Sequence, residues 1–220
     1  MHPSPPAKPT VFVVDDDWQL RDSLVAVLEA LHFRVQAFSS PGGFHRHYRA
    51  ETPGCLLLDV RMPRQSGLEL YAQLLKEGKR LPVVFLTAYA DVATAVAAMK
   101  TGAIEFLEKP FDCETLVDRV HQALAFDAEW RRHDAEFAAL NERLERLTLR
   151  EQETLKLIQS GETNKAIAAR LSITERAVEM RRSAIMRKFQ VRSAAEVIDL
   201  SATHRILAAR RREAAAYQWP

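Results

Sequence analysis

Over residues 10–126, short apolar runs alternate five times with segments of helical spacing, a pattern that few folds accommodate. The apolar runs fall at 10–14, 34–38, 55–58, 83–86 and 104–107. The helical spacings fall at 19–31, 42–49, 67–77, 92–100 and 113–125. Strands alternating with helices predict βα units, and hence a five-stranded parallel, doubly wound α/β sheet. The runs read as apolar throughout rather than alternating, which predicts strands covered on both faces.

The rest of the chain has a different pattern. Residues 127–146 contain neither Gly nor Pro, and the spacing predicts a helical linker. Apolar residues recur there at heptad spacing, with Ala123, Trp130, Phe137 and Leu144 at one seam position. Phe126, His133, Leu140 and Leu147 hold the position three residues on. A short coiled coil and a single long helix packing on its own α/β domain both fit that seam. From 148 onward only helices are predicted, at 151–160, 165–171, 175–189 and 194–202. Gly161 stands at a helix C-terminal cap, and Thr163 and Thr174 at N-caps. The expected division is an extended Pro-rich tail at 1–9, an α/β domain at 10–126, the linker at 127–146, an all-α four-helix unit at 147–203 and a basic tail at 204–220.

Charge separates these regions. Residues 1–126 carry 13 Lys/Arg against 15 Asp/Glu, whereas residues 147–220 carry 14 against 8, a net of +6. Basic charge concentrated at one end predicts a polyanionic partner for that end. No apolar run approaches the ~20 residues needed to span a bilayer, and no secretory start is apparent. Two cysteines without CxxC or His-rich spacing, Cys55 and Cys113, fit a reducing cytoplasm and argue against a disulfide framework or a thiolate metal site.

In an open parallel sheet, ligands sit at the carboxyl ends of the strands. Here those ends are polar: Asp15, Asp16 and Asp17 follow the first strand, Asp59 ends the third, Thr87 the fourth, and Lys109-Pro110 the fifth. A single Asp after a strand commonly caps the next helix. The four strand ends together predict a site. Clustered acids repel one another, and a hard divalent cation with oxygen ligands relieves that repulsion. Mg²⁺ is the natural candidate, since it keeps waters for a phosphate. Lys109 would supply a point charge and Thr87 a hydroxyl to phosphoryl oxygens.

The segments Val13-Val14-Asp15-Asp16-Asp17, Leu58-Asp59-Val60-Arg61-Met62-Pro63 with Ser66-Gly67, Leu86-Thr87-Ala88, and Phe106-Leu107-Glu108-Lys109-Pro110-Phe111 resemble the receiver domains of two-component response regulators. The resemblance covers residues 10–126 and implies a flavodoxin-like fold. It also implies that Asp59 is the phosphoacceptor for a sensor histidine kinase. Asp16, Asp59 and the Arg61 backbone carbonyl would ligate Mg²⁺, with Asp15 acting through a water. Thr87 and Lys109 would hold the phosphoryl group, and Phe106 matches the family's switch aromatic. Phe106 is equally accounted for as an ordinary sheet residue. Arg61 and Tyr89, two residues beyond Asp59 and Thr87, stand where the family tunes phosphate lifetime. The changed surface would comprise the helix at 92–100, the fifth strand and the helix at 113–125.

In the basic region, residues 164–168 open a helix, 171–174 make a turn, and 175–189 form a second helix. That helix groups Val178, Ile185 and Phe189 on one face, while Arg176, Glu179, Arg182, Ser183, Met186 and Arg187 occupy the others. This pattern suits a recognition helix for the major groove, and charge alone suits a solvated amphipathic helix as well. The run Leu149-Arg150-Glu151-Gln152-Glu153 to Gly161, Asn164-Lys165 and Ile173-Thr174 resembles the helix-turn-helix domain of the NarL/FixJ (LuxR-type) regulators over 147–203. The resemblance implies base reading by Glu179, Met180 and Ser183, and phosphate contacts by Lys165, Arg176, Arg182, Arg187 and Lys188 on double-stranded DNA. Ala177 and Arg181 depart from the family pattern, the first removing a possible phosphate contact and the second adding charge.

Together these features imply a cytoplasmic, non-membrane response regulator that is a phosphoacceptor rather than a conventional turnover enzyme. It would form a homodimer on DNA when phosphorylated. Two other readings fit parts of the sequence. The acidic site could serve a Mg²⁺-dependent phosphatase or phosphotransfer enzyme, which leaves the basic domain unexplained. A phosphate-blind DNA-binding scaffold would normally lack Asp59 or Lys109.

Overall fold

The computed structural model describes residues 8–88 and 105–216. The helix expected at 92–100, the start of the fifth strand at Ile104, Tyr89, and most of the N-terminal tail lie outside the described residues. The chain divides after Arg131 into two compact units, each described by itself below.

In the first unit, β1 (Thr10–Val14), β2 (Arg34–Phe38), β3 (Gly54–Asp59), β4 (Val83–Thr87) and β5 (Glu105–Glu108) form one parallel sheet in the order β2-β1-β3-β4-β5. The described helices are α1 (Trp18–Ala30), α2 (Pro41–His47), α3 (Gly67–Lys76) and α4 (Cys113–Glu145). The alternation of side chains along β1 shows why both of its faces are apolar. Phe12 and Val14 join Phe44 of α2, Tyr48 just past its end, and Leu70 and Leu74 of α3 on one face. Val11 and Val13 join Leu24 and Leu28 of α1 and Leu116 and Val120 of α4 on the other.

Full coverage holds for the interior strands β1, β3 and β4, whose residues are buried throughout, but not for the edges. In β2, Arg34, Gln36 and Ala37 are exposed, because an edge strand outside the helix layers needs no apolar run. β5, at the other edge, is only partly covered.

The linker is continuous with the last helix of the α/β domain, and α4 spans 33 residues. Its stretch just past the expected boundary at 126 still belongs to the first unit. Asp127 is buried, and its Oδ2 accepts from the Gly54 backbone N–H at 2.8 Å and from Arg131 Nε at 2.8 Å. The Arg131 guanidinium also donates to the carbonyls of Ala50, Glu51 and Thr52. An i,i+4 Asp–Arg pair on a helix was visible in the sequence, but its loop partners, about 80 residues away in the chain, were not.

The second unit contains the end of α4 with α5 (Leu149–Gln159), α6 (Asn164–Leu171), α7 (Glu175–Phe189) and α8 (Ala194–Ala216). Its core gathers Leu147, Leu155, Ile158, Ile167, Val178, Ile185, Phe189 and Val197. Thr148, Thr163 and Thr174 cap α5, α6 and α7, accepting from Glu151 N, Ala166 N and Ala177 N; each cap contributes about 1 kcal/mol. Gly161 follows α5 with φ 79°, the left-handed position a helix end favours.

Two expectations are corrected in this unit. α8 does not end at 202 but runs to Ala216, so the supposed basic tail is largely helix. The reason is packing: His204 stacks on Phe137 at 4.8 Å, and the Arg211 guanidinium lies 4.7 Å from the same ring while pairing with Asp134. The second half of the heptad seam is thereby occupied within its own chain, with Leu140 and Leu147 buried and Leu144 against the core.

Candidate functional site

Sheet register assembles the carboxylate site. Val14 lies opposite Leu58, so the next residues, Asp15 and Asp59, emerge side by side at the carboxyl ends of β1 and β3. Asp59 lies opposite Leu86, and Thr87 opposite Glu108, which brings Thr87 and Lys109 to the same rim. The Lys109 backbone N–H donates to the Thr87 carbonyl at 2.7 Å. This is also where strand order reverses between β1 and β3, the usual ligand position in such sheets.

The side chains converge on Lys109. Its Nζ donates to Asp15 Oδ2 at 2.8 Å and to Asp59 Oδ1 at 2.7 Å, while Asp59 Oδ2 accepts from the Arg61 backbone N–H at 2.8 Å. Asp15, Asp59 and Thr87 are buried. Burial raises the Asp59 pKa above the ordinary carboxylate range, outweighing the bond and charge of Lys109; the Asp15 charge adds to the rise. Burial works to lower the Lys109 pKa, but its bonds to Asp15 and Asp59 more than offset this, so the ammonium is held charged.

The three consecutive acids separate. Only Asp15 turns into the cluster. Asp16 is exposed beside it, and Asp17 caps α1 by accepting from Gln19 N and Leu20 N. Among the described residues no three acidic, His or Cys side chains gather as a metal cage. The donors brought together are the buried carboxylates of Asp15 and Asp59, all oxygen. Such a partial set fits Mg²⁺, which binds through one or two carboxylates and retains waters.

Two residues shape the site from behind. Phe106 is half-buried and stacks on Phe85 at 5.1 Å with an interplanar angle of 23°. Gly67 opens α3 against the end of β3, donating its N–H to the Val60 carbonyl. A Cβ there would lie 2.1 Å from the Asp59 carbonyl oxygen, so only glycine allows this approach.

In the second unit, α6 and α7 are joined by a turn in which Ser172 adopts the left-handed conformation. Val178, Ile185 and Phe189 face the core as expected, and Arg176, Glu179, Met180, Ser183 and Arg187 are exposed on α7. Lys165 is exposed at the start of α6, and Arg182 is half-buried. Met186 is corrected: it packs against the core, four residues before Gln190 ends the helix.

Lys188 is corrected too. Its Nζ reaches Glu151 Oε2 of α5 at 2.6 Å, because the buried carboxylate needs a counter-charge more than the surface does. That carboxylate also receives the Thr148 N–H and hydroxyl in a capping box, whose Thr-x-x-Glu spacing was readable in the sequence. Burial works to raise the Glu151 pKa, but Lys188 and Thr148 together bring it below the ordinary value. Arg181 donates to Thr154 Oγ1 and the Arg150 carbonyl.

Residues 11–121 match the family described as response regulator receiver domain, and residues 145–201 match bacterial regulatory proteins of the luxR family. The Response regulator protein TodT of Pseudomonas putida is 35% identical over 188 residues, covering 86% of this chain and 83% of that protein. The transcriptional regulatory protein FixJ of Azorhizobium caulinodans is 37% identical over 191 residues, covering 87% and 90%. Among solved structures, the response regulator StyR aligns with a TM-score of 0.82 at 44% identity, covering 89% of this chain and 99% of that one. Full-length FixJ from B. japonicum aligns at 0.55 and 31%, covering 90% and 98%.

Proposed function

Because this chain belongs to the response regulators that couple a receiver domain to a LuxR-type helix-turn-helix domain, we propose that Asp59 is its phosphoacceptor. Its class of activity is phosphorylation-controlled regulation of transcription, with a sensor kinase upstream and DNA downstream. One observation carries the residue assignment: the Lys109 ammonium bridges the buried Asp15 and Asp59 carboxylates at the strand ends.

An Asp59 oxygen attacks the phosphorus of a kinase phosphohistidine. The new P–O bond forms as the P–N bond breaks, leaving an acyl phosphate and a free imidazole. Lys109, already within hydrogen-bond reach, then exchanges its Asp59 contact for a phosphoryl oxygen, and the Thr87 hydroxyl donates to another. Receiver domains generally take Mg²⁺ at this site; here Asp16, Asp59 and the Arg61 carbonyl would hold it, with Asp15 acting through a water. Bound there, Mg²⁺ offsets the charge of the transferring phosphoryl group.

The acyl phosphate stabilises the arrangement in which Thr87 moves toward it and Phe106 turns inward. A shift from nearly off to nearly on takes about 5.5 kcal/mol of differential stabilisation. The active form dimerises, and two α7 helices enter successive major grooves. Glu179, Met180 and Ser183 read bases, while Lys165, Arg176, Arg182 and Arg187 contact phosphates. The setting is the cytoplasm; no described helix is long and apolar enough to cross a membrane.

The test is DNA-site selection with the purified protein, with and without acetyl phosphate and Mg²⁺, alongside Asp59→Asn. A sequence-specific complex that tightens on phosphorylation only when Asp59 is intact supports the proposal. Specific binding indifferent to phosphate overturns the switch, and no specific binding in any state overturns the DNA assignment.

A further inference from the structure

Within the second unit, the last turn of α4 and the helices α5 and α8 line a solvent-open cleft of about 350 Å³. This lies at the low end of the ~300–1,000 Å³ typical of small-molecule sites. Helical spacing builds its walls: Gln152, Lys156 and Gln159 share one face of α5, and Ser201 and Arg205 one face of α8. The lining is mostly apolar, with Leu144 and Leu155 contributing aliphatic surface.

Its charges are uneven. Lys156 and Arg205 are exposed at the mouth and make no ion pair among the described residues. The one lining acid, Glu145, accepts from Asn141 on its own helix at 2.6 Å. His204 is held between Phe137 and Asn141, and burial lowers its pKa, leaving it neutral at pH 7. An apolar hollow with two free cations at its mouth matches a ligand with an apolar body and one negative charge. A second negative charge would meet Glu145.

We propose that this cleft is a binding site for a small amphipathic monocarboxylate, its body against Leu144 and Leu155 and its carboxylate between Lys156 and Arg205. The site is independent of Asp59 chemistry and gives the second unit an input of its own. A ligand bridging α5 and α8 also stabilises the fold by mass action.

The experiment is a titration of the full-length protein with 4-tert-butylbenzoate, read by calorimetry and by thermal unfolding, with neutral 4-tert-butylbenzamide as the comparison. Two variants are included: the charge reversal Lys156→Glu/Arg205→Glu, and Gln159→Trp to fill the cleft. Both sets of positions lie outside the core, and circular dichroism checks that each variant folds. The expected result is saturable binding of the carboxylate with a Kd below ~1 mM. Charge reversal should weaken it about tenfold or more, the amide should bind equally weakly, and Gln159→Trp should remove binding and the thermal shift together. No saturable binding by the native chain, or binding unchanged by either variant, overturns the proposal. The same titration with Asp59→Asn should give the native affinity, so failure of the phosphorylation reading is distinguishable from failure of this one.

Discussion

Each unit contains a lysine drawn onto a buried carboxylate, and the two pairs differ in what else the acid receives. Lys188 meets Glu151, whose carboxylate also takes the Thr148 N–H and hydroxyl, so the negative charge is fully compensated and the pKa falls. Lys109 instead serves two acids at once, Asp15 and Asp59, and the Asp59 pKa rises despite it. The first arrangement is a clamp that gains from staying as it is. The second holds more negative charge than its lysine can compensate, and an electrophile or a cation relieves it. Proximity of Lys to a carboxylate therefore does not mark a site, whereas a surplus of uncompensated acid does.

The largest effects fall on the central members of each pair. Asp59→Asn should abolish phosphorylation by acetyl phosphate, and Lys109→Ala should reduce it by about a hundredfold or more, the scale of a lost transition-state contact. Mobility-shift gels that resolve the phosphoprotein measure both. Glu151→Gln and Lys188→Ala should leave phosphorylation at the native rate.

Next in size is Gly67→Ala, whose Cβ must displace the end of β3. Overpacking of this kind destabilises by about 1–3 kcal/mol, measurable by urea unfolding, and should slow phosphorylation as Asp59 shifts. A variant with native stability and native rate would remove the role assigned to that close approach.

Glu151→Gln should destabilise the second unit by about 1–2 kcal/mol at pH 7, the size of a lost cap and charge-assisted bond. The Glu151 pKa is lowered in the folded state, so its contribution is present above the ordinary carboxylate range and lost as pH falls through the folded value. Native and variant stabilities should therefore converge in acid. Asp59 carries the opposite sign: its raised pKa favours protonation in the fold, so ionisation at neutral pH weakens the receiver. Asp59→Asn should be the more stable form at pH 7, with the advantage shrinking as pH falls through the Asp59 pKa. Urea titrations across pH 3–8 read both trends, and parallel trends would sink the distinction between clamp and site.

The smallest effect separates neighbours on α7. Arg187→Ala should weaken DNA binding and reduce the salt slope by about one, as loss of one phosphate contact does. Lys188→Ala should lower stability and leave the slope unchanged, since its ammonium is held by Glu151.

Much of this molecule is legible in its sequence. β1, β3 and β4 were plain because strands covered on both faces must be apolar throughout, and Asp59, Thr87 and Lys109 followed because strand ends are fixed by such runs. The division of labour among Asp15, Asp16 and Asp17 was not legible, since successive side chains leaving a strand point in different directions. Lys188 reads as a surface cation because its partner lies 37 residues away. The length of α8 was hidden by Arg210-Arg211-Arg212, which looks like a solvated tail until Arg211 is seen against Phe137 and Asp134.

The Asp127–Arg131 turn bears on how such a protein can be recombined. A receiver severed at residue 126, where its motifs end, would lose the acceptor for the Gly54 N–H and the donor to three carbonyls at 50–52. The portable module is therefore longer than its recognisable motifs, and a chimera that keeps residues through Arg131 retains the hydrogen bonds that close the bottom of its own sheet.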